Sequence, residues 1–398
     1  MSNENAVFGN YPTRAGADAA RQTLGPLASG GSSKMRALLA LGQSVWLDDL
    51  SRDLTRSGRL QALVDAGLRG MTSNPTIFAR AIVGSTSYDA ELAELTSSAA
   101  TDRDVFEALA VTDVREAADL FRDVYDATNG TDGFVSLEVS PDLAHDTIGS
   151  LVEARRLWKA VARVNIMVKI PGTREGWLAI ERCLYEGINI NITLLFSQEN
   201  YDAVREAYFR ALEARLRDRL PIDTLASVAS FFVSRIDTEV DQRLRSRDRP
   251  LLELQGKAAI ASAQLAYLTF VENSRSARWR ALEAKGAKPQ RLLWASTGTK
   301  NPAYSDVRYV ESLIGPQTIA TIPPETLDLF EEHGRVVDTL SHIEASDARA
   351  VIDALSNAGI DFGDVTRTLE AEGIEKFKTA VDTVLGVIAA KRASRLAT

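Results

Sequence analysis

Asn165-Ile-Met-Val-Lys-Ile-Pro171 is an apolar run of strand length that carries one charge, and it decides the fold. A helical stretch follows, with Trp177, Ile180 and Leu184 at i, i+3 and i+7, and Gly187 stops it. A second aliphatic run, Ile188 to Phe196, comes next. Strand, crossover helix and strand make a βαβ unit, whose two strands must lie parallel in one sheet.

Working outward from this unit, Phe134-Val-Ser-Leu-Glu-Val139 is a preceding strand. Ser140-Pro141 then opens a helix, with Ser as N-cap and Pro at the first helical position. The apolar spacing predicts that this helix buries Ile148, Leu151, Val152 and Trp158. The same alternation places strands near Ser44–Leu50, Gly70–Ser73, Phe134–Val139, Asn165–Ile170, Asn191–Phe196, Val228–Val233, Leu292–Ala295 and Thr318–Ile322. Eight strand-like runs joined by helical crossovers predict an α/β fold, a single (β/α)8 TIM barrel with additional helices.

Segments 199–220 and 237–285 read as long helices, the first with a Tyr201, Val204, Tyr208, Leu212 stripe that belongs to the core. Segment 325–396 reads as helices that close the barrel and extend past it. Residues 1–33, rich in Gly, Ala and Ser, read as a flexible N-terminal arm, and 34–398 as the catalytic barrel domain with a C-terminal helical extension.

The chain has 398 residues, 46 basic against 54 acidic, for a net charge of −8. That balance argues against a nucleic-acid partner, which needs clustered Lys and Arg. One cysteine, Cys183, and three histidines, His145, His333 and His342, rule out a disulfide framework and a cysteine zinc site, and no metal or other cofactor is implied. The apolar stretch Val384 to Ala390 is far too short to span a membrane, which takes about 20 residues. No secretion signal is visible, so a cytoplasmic location is the expectation.

In such a barrel the chemistry belongs at the carboxyl ends of the strands, and polar residues gather there. Lys169 sits inside an apolar strand, where a charged ammonium is costly without a partner. Desolvation favours the neutral amine, the form that attacks a ketone to make a Schiff base. The other reading of Lys169 is an ion pair with Glu138 on the neighbouring strand, and both stand. Glu138 itself is either that partner or a proton relay through a water.

Asp48 and Asp49 adjoin, so strand geometry sends them to opposite faces, and one of them is a candidate cap for the helix starting near Leu50. Thr72-Ser-Asn-Pro75 reads as a helix start in which Asn74 is the cap and Pro75 the first residue. Arg235, after Ser230-Phe-Phe-Val-Ser234, and Lys300, within Ser296-Thr-Gly-Thr-Lys-Asn-Pro302, bring positive charge to the quarter where such barrels bind phosphate.

Taken in order, seven stretches resemble the transaldolase family: Trp46-Leu-Asp-Asp-Leu50, Met71-Thr-Ser-Asn-Pro-Thr76, Val135-Ser-Leu-Glu-Val139, Val168-Lys-Ile-Pro-Gly-Thr173, Ile188-Asn-Ile-Asn-Ile-Thr-Leu-Leu-Phe-Ser197, Ser230-Phe-Phe-Val-Ser-Arg235 and Trp294-Ala-Ser296. The resemblance covers roughly Ser44 to His333 and implies a metal-free aldol mechanism. Dihydroxyacetone would pass between sugar phosphates of the pentose phosphate pathway. Lys169 matches the family's Schiff-base lysine and Asp48 its acid/base, leaving Asp49 a structural role. Glu138 and Thr193 match the pair that holds the catalytic water.

Asn74 and Asn191 match residues that bind the hydroxyls of the three-carbon unit, and Ser230, Arg235 and Ser296 match phosphate-site residues. After the seventh strand the sequence departs from the shorter enterobacterial pattern: Lys300 replaces the second phosphate-binding arginine, offset by two residues, and cannot offer a planar fork. The chain resembles the longer bacterial form. Its extra helices around 199–220, 240–285 and after 334 either cover surface or serve a homo-oligomer. Rival readings are a Schiff-base aldolase that releases dihydroxyacetone, and an inactive barrel used as a scaffold.

Overall fold

The computed structural model describes residues 33–96, 101–246 and 251–396. Eight parallel strands form a closed barrel in sequence order: β1 (Gln43–Leu47), β2 (Gly70–Met71), β3 (Phe134–Glu138), β4 (Ile166–Pro171), β5 (Ile190–Leu195), β6 (Ser227–Phe232), β7 (Arg291–Ala295) and β8 (Thr318–Ile322). β8 pairs back onto β1, so no edge is left open. Helices cover one face of the strands and side chains fill the other, which is why β1, β4, β5, β6, β7 and β8 are buried at every residue. The βαβ unit is as expected: β4, the helix Arg174–Tyr185, a left-handed Gly187 (φ +88°), and β5.

Register aligns the polar positions. Glu138 of β3 lies beside Lys169 of β4, and Lys169 beside Asn191 of β5. At the opposite, amino-terminal end, the Arg291 guanidinium donates to Asp132, Ser44 Oγ and the Thr131 carbonyl, while Asp132 also accepts from Trp46 Nε1 and Ser44 Oγ. This buried, hydrogen-bonded cluster closes the amino-terminal end of the barrel.

Three expectations are corrected. Ser140-Pro141 opens only a one-turn 3₁₀ helix, Pro141–Leu143; the α-helix starts at Thr147, capped by Asp146, whose carboxylate accepts from Gly149 N at 2.9 Å. That helix, Thr147–Val161, buries Ser150, Ala154, Leu157 and Val161, whereas Ile148 and Val152 are 68% and 54% exposed, and Leu151 and Trp158 are half-buried. Small residues face inward because the helix is packed closely between Asp102–Leu120 and Arg174–Tyr185. Segment 237–285 is several helices: Ser234–Arg245, a short turn Leu252–Leu254, Ala258–Ser274 and Ala277–Glu283, with residues 247–250 outside the description.

The C-terminal segment is helical as read. Segment 325–396 ends in one 35-residue helix, Phe362–Leu396, that crosses the carboxyl-terminal mouth and packs on the helices Pro75–Gly84 and Asp102–Leu120. The arm 1–33 lies outside the described residues except for Ser33. That residue caps the first described helix, Lys34–Ala40, by accepting from Met35 N, and donates to Glu331 at 2.7 Å. Among the described residues no helix is long and apolar enough to cross a membrane.

Candidate active site

A cavity of about 300 Å³ opens at the carboxyl ends of the strands. Eight of the ten residues expected from sequence line it: Asp48, Asn74, Lys169, Thr193, Ser230, Arg235, Ser296 and Lys300. Glu138 and Asn191 stand behind that lining, in direct contact with members of it.

Lys169 is almost fully buried. Its ammonium donates to the Ser73 carbonyl at 2.9 Å and ion-pairs with Glu138 Oε2 at 3.1 Å. Ser73 is held in turn by its own hydroxyl, which donates to the Ser136 carbonyl at 2.6 Å. Burial pushes the Glu138 carboxyl above the usual carboxylate range, with the Lys169 charge opposing and the Asp48 charge reinforcing the rise. Apart from the ion pair, neither Glu138 oxygen has a hydrogen-bond partner among the described residues, and nor does the buried Thr193 hydroxyl. Buried polar atoms are normally satisfied, which sets Glu138 and Thr193 apart from the hydrogen-bonded polar groups around them.

Asp48 and Asp49, just past the end of β1, take different partners. Asp48 lines the cavity and accepts from Thr72 Oγ1 at 2.8 Å; that hydroxyl has one proton, so Thr321 Oγ1, 2.6 Å away, donates to Thr72. Asp49 binds Arg80 at 2.5 Å. Burial raises the Asp49 pKa and the Arg80 charge opposes it. Neither aspartate caps the next helix: Ser51 does, accepting from Leu54 N at 3.2 Å.

Asn74 caps the helix Pro75–Gly84, its Oδ1 accepting from Ile77 N at 3.1 Å, and it also lines the cavity, so one amide serves both the cap and the site. Asn191 is fully buried. It accepts from Ser230 Oγ at 2.6 Å and donates through Nδ2 to Ser136 Oγ at 3.0 Å, which ties β3, β5 and β6 together. Next to it, β5 is interrupted: the register shifts between Ile192 and Leu195, and Leu194 takes a left-handed φ of +57°. Ser296, at the end of β7, is also left-handed (φ +56°), and its hydroxyl lies 3.0 Å from Ser234 Oγ. Such backbone strain is typical of functional strand ends.

The cavity rim is cationic. Arg235 lies over the Phe232 ring with its guanidinium carbon 5.3 Å from the centroid, and burial lowers its pKa. Lys300 folds back over Gly298, its ammonium 3.8 Å from where a Cβ would stand. Sequence reasoning missed other cavity residues, among them Arg80, Glu325, and Lys376 and Phe377 of the C-terminal helix. An amphipathic helix pattern carries no sign that its polar face meets a barrel mouth. Ser136 was missed as well, although it sits one position from Leu137 inside a motif already singled out.

Fold and site together define a (β/α)8-barrel enzyme with a buried lysine at the catalytic mouth. The chain belongs to the family described as Transaldolase/Fructose-6-phosphate aldolase, which matches residues 45–388, and it groups with that family's transferases of aldehyde or ketone residues. It is 49% identical over 358 residues to a transaldolase of Saccharopolyspora erythraea, covering 90% of this chain and 97% of the relative. It is 48% identical over 344 residues to one of Acidothermus cellulolyticus (86% and 92%), and 45% identical over 354 residues to one of Mycobacterium tuberculosis (88% and 95%).

Proposed function

We propose that the chain moves a dihydroxyacetone unit from fructose 6-phosphate or sedoheptulose 7-phosphate to erythrose 4-phosphate or glyceraldehyde 3-phosphate, in the cytoplasm. The observation that carries this reading is Lys169: a buried strand lysine at the base of a cavity with a cationic rim, beside a carboxylate of raised basicity. The Lys169 amine attacks the C2 ketone to give a carbinolamine. Loss of water then gives the Schiff base.

Attack needs the ammonium to lose a proton, and Glu138 is its receiver, with a water held between Glu138 and the Thr193 hydroxyl as the shuttle. Asp48 takes the C4 hydroxyl proton, the C3–C4 bond breaks and its electron pair passes into the iminium, leaving an enamine while an aldose phosphate departs. Thr72 holds the Asp48 carboxylate in place for that step. The enamine stays bound until an acceptor aldehyde reverses the sequence.

Asn74 and Asn191 serve the hydroxyls of the three-carbon unit, Asn191 also fixing Ser230. Ser230, Arg235, Ser296 and Lys300 hold the phosphate end. Incubation with fructose 6-phosphate and borohydride, followed by mass spectrometry of the digested protein, tests the reading. A three-carbon adduct on the Lys169 peptide is expected; a folded protein that forms no adduct refutes it. Release of free dihydroxyacetone without acceptor would mark an aldolase instead.

A further inference from the structure

The structure assigns Lys376, on the C-terminal helix, as a third cation of the phosphate end of the cavity, beside Arg235 and Lys300. The inference deepens the sugar-phosphate reading above and rests on it. It makes the helix that crosses the mouth a part of the binding site and not a cover for surface.

Three observations carry it. The first is how the helix is seated. Gly373 is so close to the interrupted end of β5 that a Cβ there would lie 2.9 Å from Leu194 Cδ2 and 3.5 Å from Arg235 Nη1. Residues three and four further along share a helix face, so Lys376 and Phe377 are directed to the same place. Phe377 is buried and lines the cavity, which fixes the rotation of the helix, and Lys376 stands exposed at its rim.

The second is the company that Lys376 keeps. Partial burial lowers its pKa first, and the charges that add to the effect, Arg235 and Lys300, are both positive. The third is what is missing from this cluster. The chain is dense in ion pairs, yet among the described residues none of Arg235, Lys300 and Lys376 has a carboxylate within ion-pair distance. The Asp48, Glu138 and Glu372 charges act on Arg235 from beyond ion-pair distance, and three cations brought together still repel one another unless an anion joins them. A phosphate monoester supplies two negative charges and three acceptor oxygens, and a flexible lysine meets it as a point charge where Arg235 offers a planar fork.

The test uses the full chain with Lys376→Met and Lys376→Arg. Two quantities are read: the KM for fructose 6-phosphate relative to the concentration of phosphate-free dihydroxyacetone that half-saturates borohydride trapping, and the Ki of inorganic phosphate. Lys376→Met is expected to raise both roughly tenfold, the scale of one charge-assisted hydrogen bond, and Lys376→Arg to restore most of the loss. A merely structural lesion would weaken both carbonyl ligands alike and leave their ratio unchanged.

Arg235→Met is measured alongside. If it raises both quantities while Lys376→Met changes neither, the assignment of Lys376 is overturned and the sugar-phosphate reading stands. If neither variant changes them and inorganic phosphate does not inhibit the wild type, the phosphate end itself is wrong and the assignment falls with it.

Discussion

Lys169 and Glu138 face each other from adjacent strands in direct register, with their charged atoms 3.1 Å apart and both side chains buried. Pairing and chemistry are therefore one arrangement: the carboxylate that makes the buried ammonium tolerable is also placed to receive its proton. Glu138→Gln removes both services. Turnover is expected to fall about 10²–10⁴-fold, the usual contribution of a general acid or base. Loss of one partner of a buried pair also costs roughly 3–5 kcal/mol of stability. Steady-state kinetics with urea unfolding check both, and unchanged turnover in a folded variant would remove Glu138 from the mechanism.

Asp48 is held by Thr72 at the cavity wall, while Arg80, which also lines the cavity, is taken up by Asp49. If its task is to take the C4 hydroxyl proton, Asp48→Ala should still form the Schiff base but fail to cut the sugar. Borohydride trapping with fructose 6-phosphate is then expected to give a six-carbon phosphorylated adduct on Lys169, where the wild type gives three carbons. A three-carbon adduct at the wild-type rate would exclude Asp48 as the base.

Asp237 is buried outside the cavity, accepting from Ala259 N at 2.8 Å and from the Tyr309 hydroxyl at 2.9 Å. Burial raises its pKa from 3.8 to about 6, against the pull of those two hydrogen bonds. Below pH 4 the group is protonated in both folded and unfolded chains. Between about 4 and 6 the unfolded chain ionises first, so stability is lost as pH rises, reaching about 3 kcal/mol by pH 7. Asp237→Asn lacks this loss. Urea unfolding should show the variant gaining about 3 kcal/mol on the wild type between pH 4 and 7; parallel pH curves would contradict the buried-carboxyl account.

Two glycines of the C-terminal helix give a paired prediction. Gly386 has open space where a Cβ would go, and alanine there should stabilise by roughly 0.5–1 kcal/mol through helix propensity. Gly373 touches Leu194, so the same substitution gains propensity but must push the helix away from β5. Thermal melting is expected to rise for Gly386→Ala and not for Gly373→Ala, which should also raise the KM for fructose 6-phosphate. Equal stabilisation by both would mean that the close contact does not seat the helix.

The barrel was legible because parallel strands covered on both faces are written as nearly unbroken apolar runs, and eight of them alternate with helical patterns. Lys169 was legible for the same reason: a single charge in such a run needs a purpose. That Asp48 and Asp49 part company followed from their adjacency, but which of them meets the cavity was implied only by the family resemblance. Helix faces were harder. The stripe Tyr201, Val204, Tyr208, Leu212 is buried as read, but Thr147–Val161 turns Ile148 and Val152 outward because its crowded neighbours admit Ser150 and Ala154 more closely.

What the sequence determined by itself is therefore what local periodicity and strand geometry encode: eight strands, their order, and the polar residues at their ends. Tertiary structure alone decided that Asn191 stands behind the cavity gripping Ser136 and Ser230, and that the Phe362–Leu396 helix comes back across the mouth with Lys376 and Phe377. A helix has the same pattern wherever it docks. Its place is set by contacts between distant residues, here Gly373 against the bent end of β5, and no period along the chain records them.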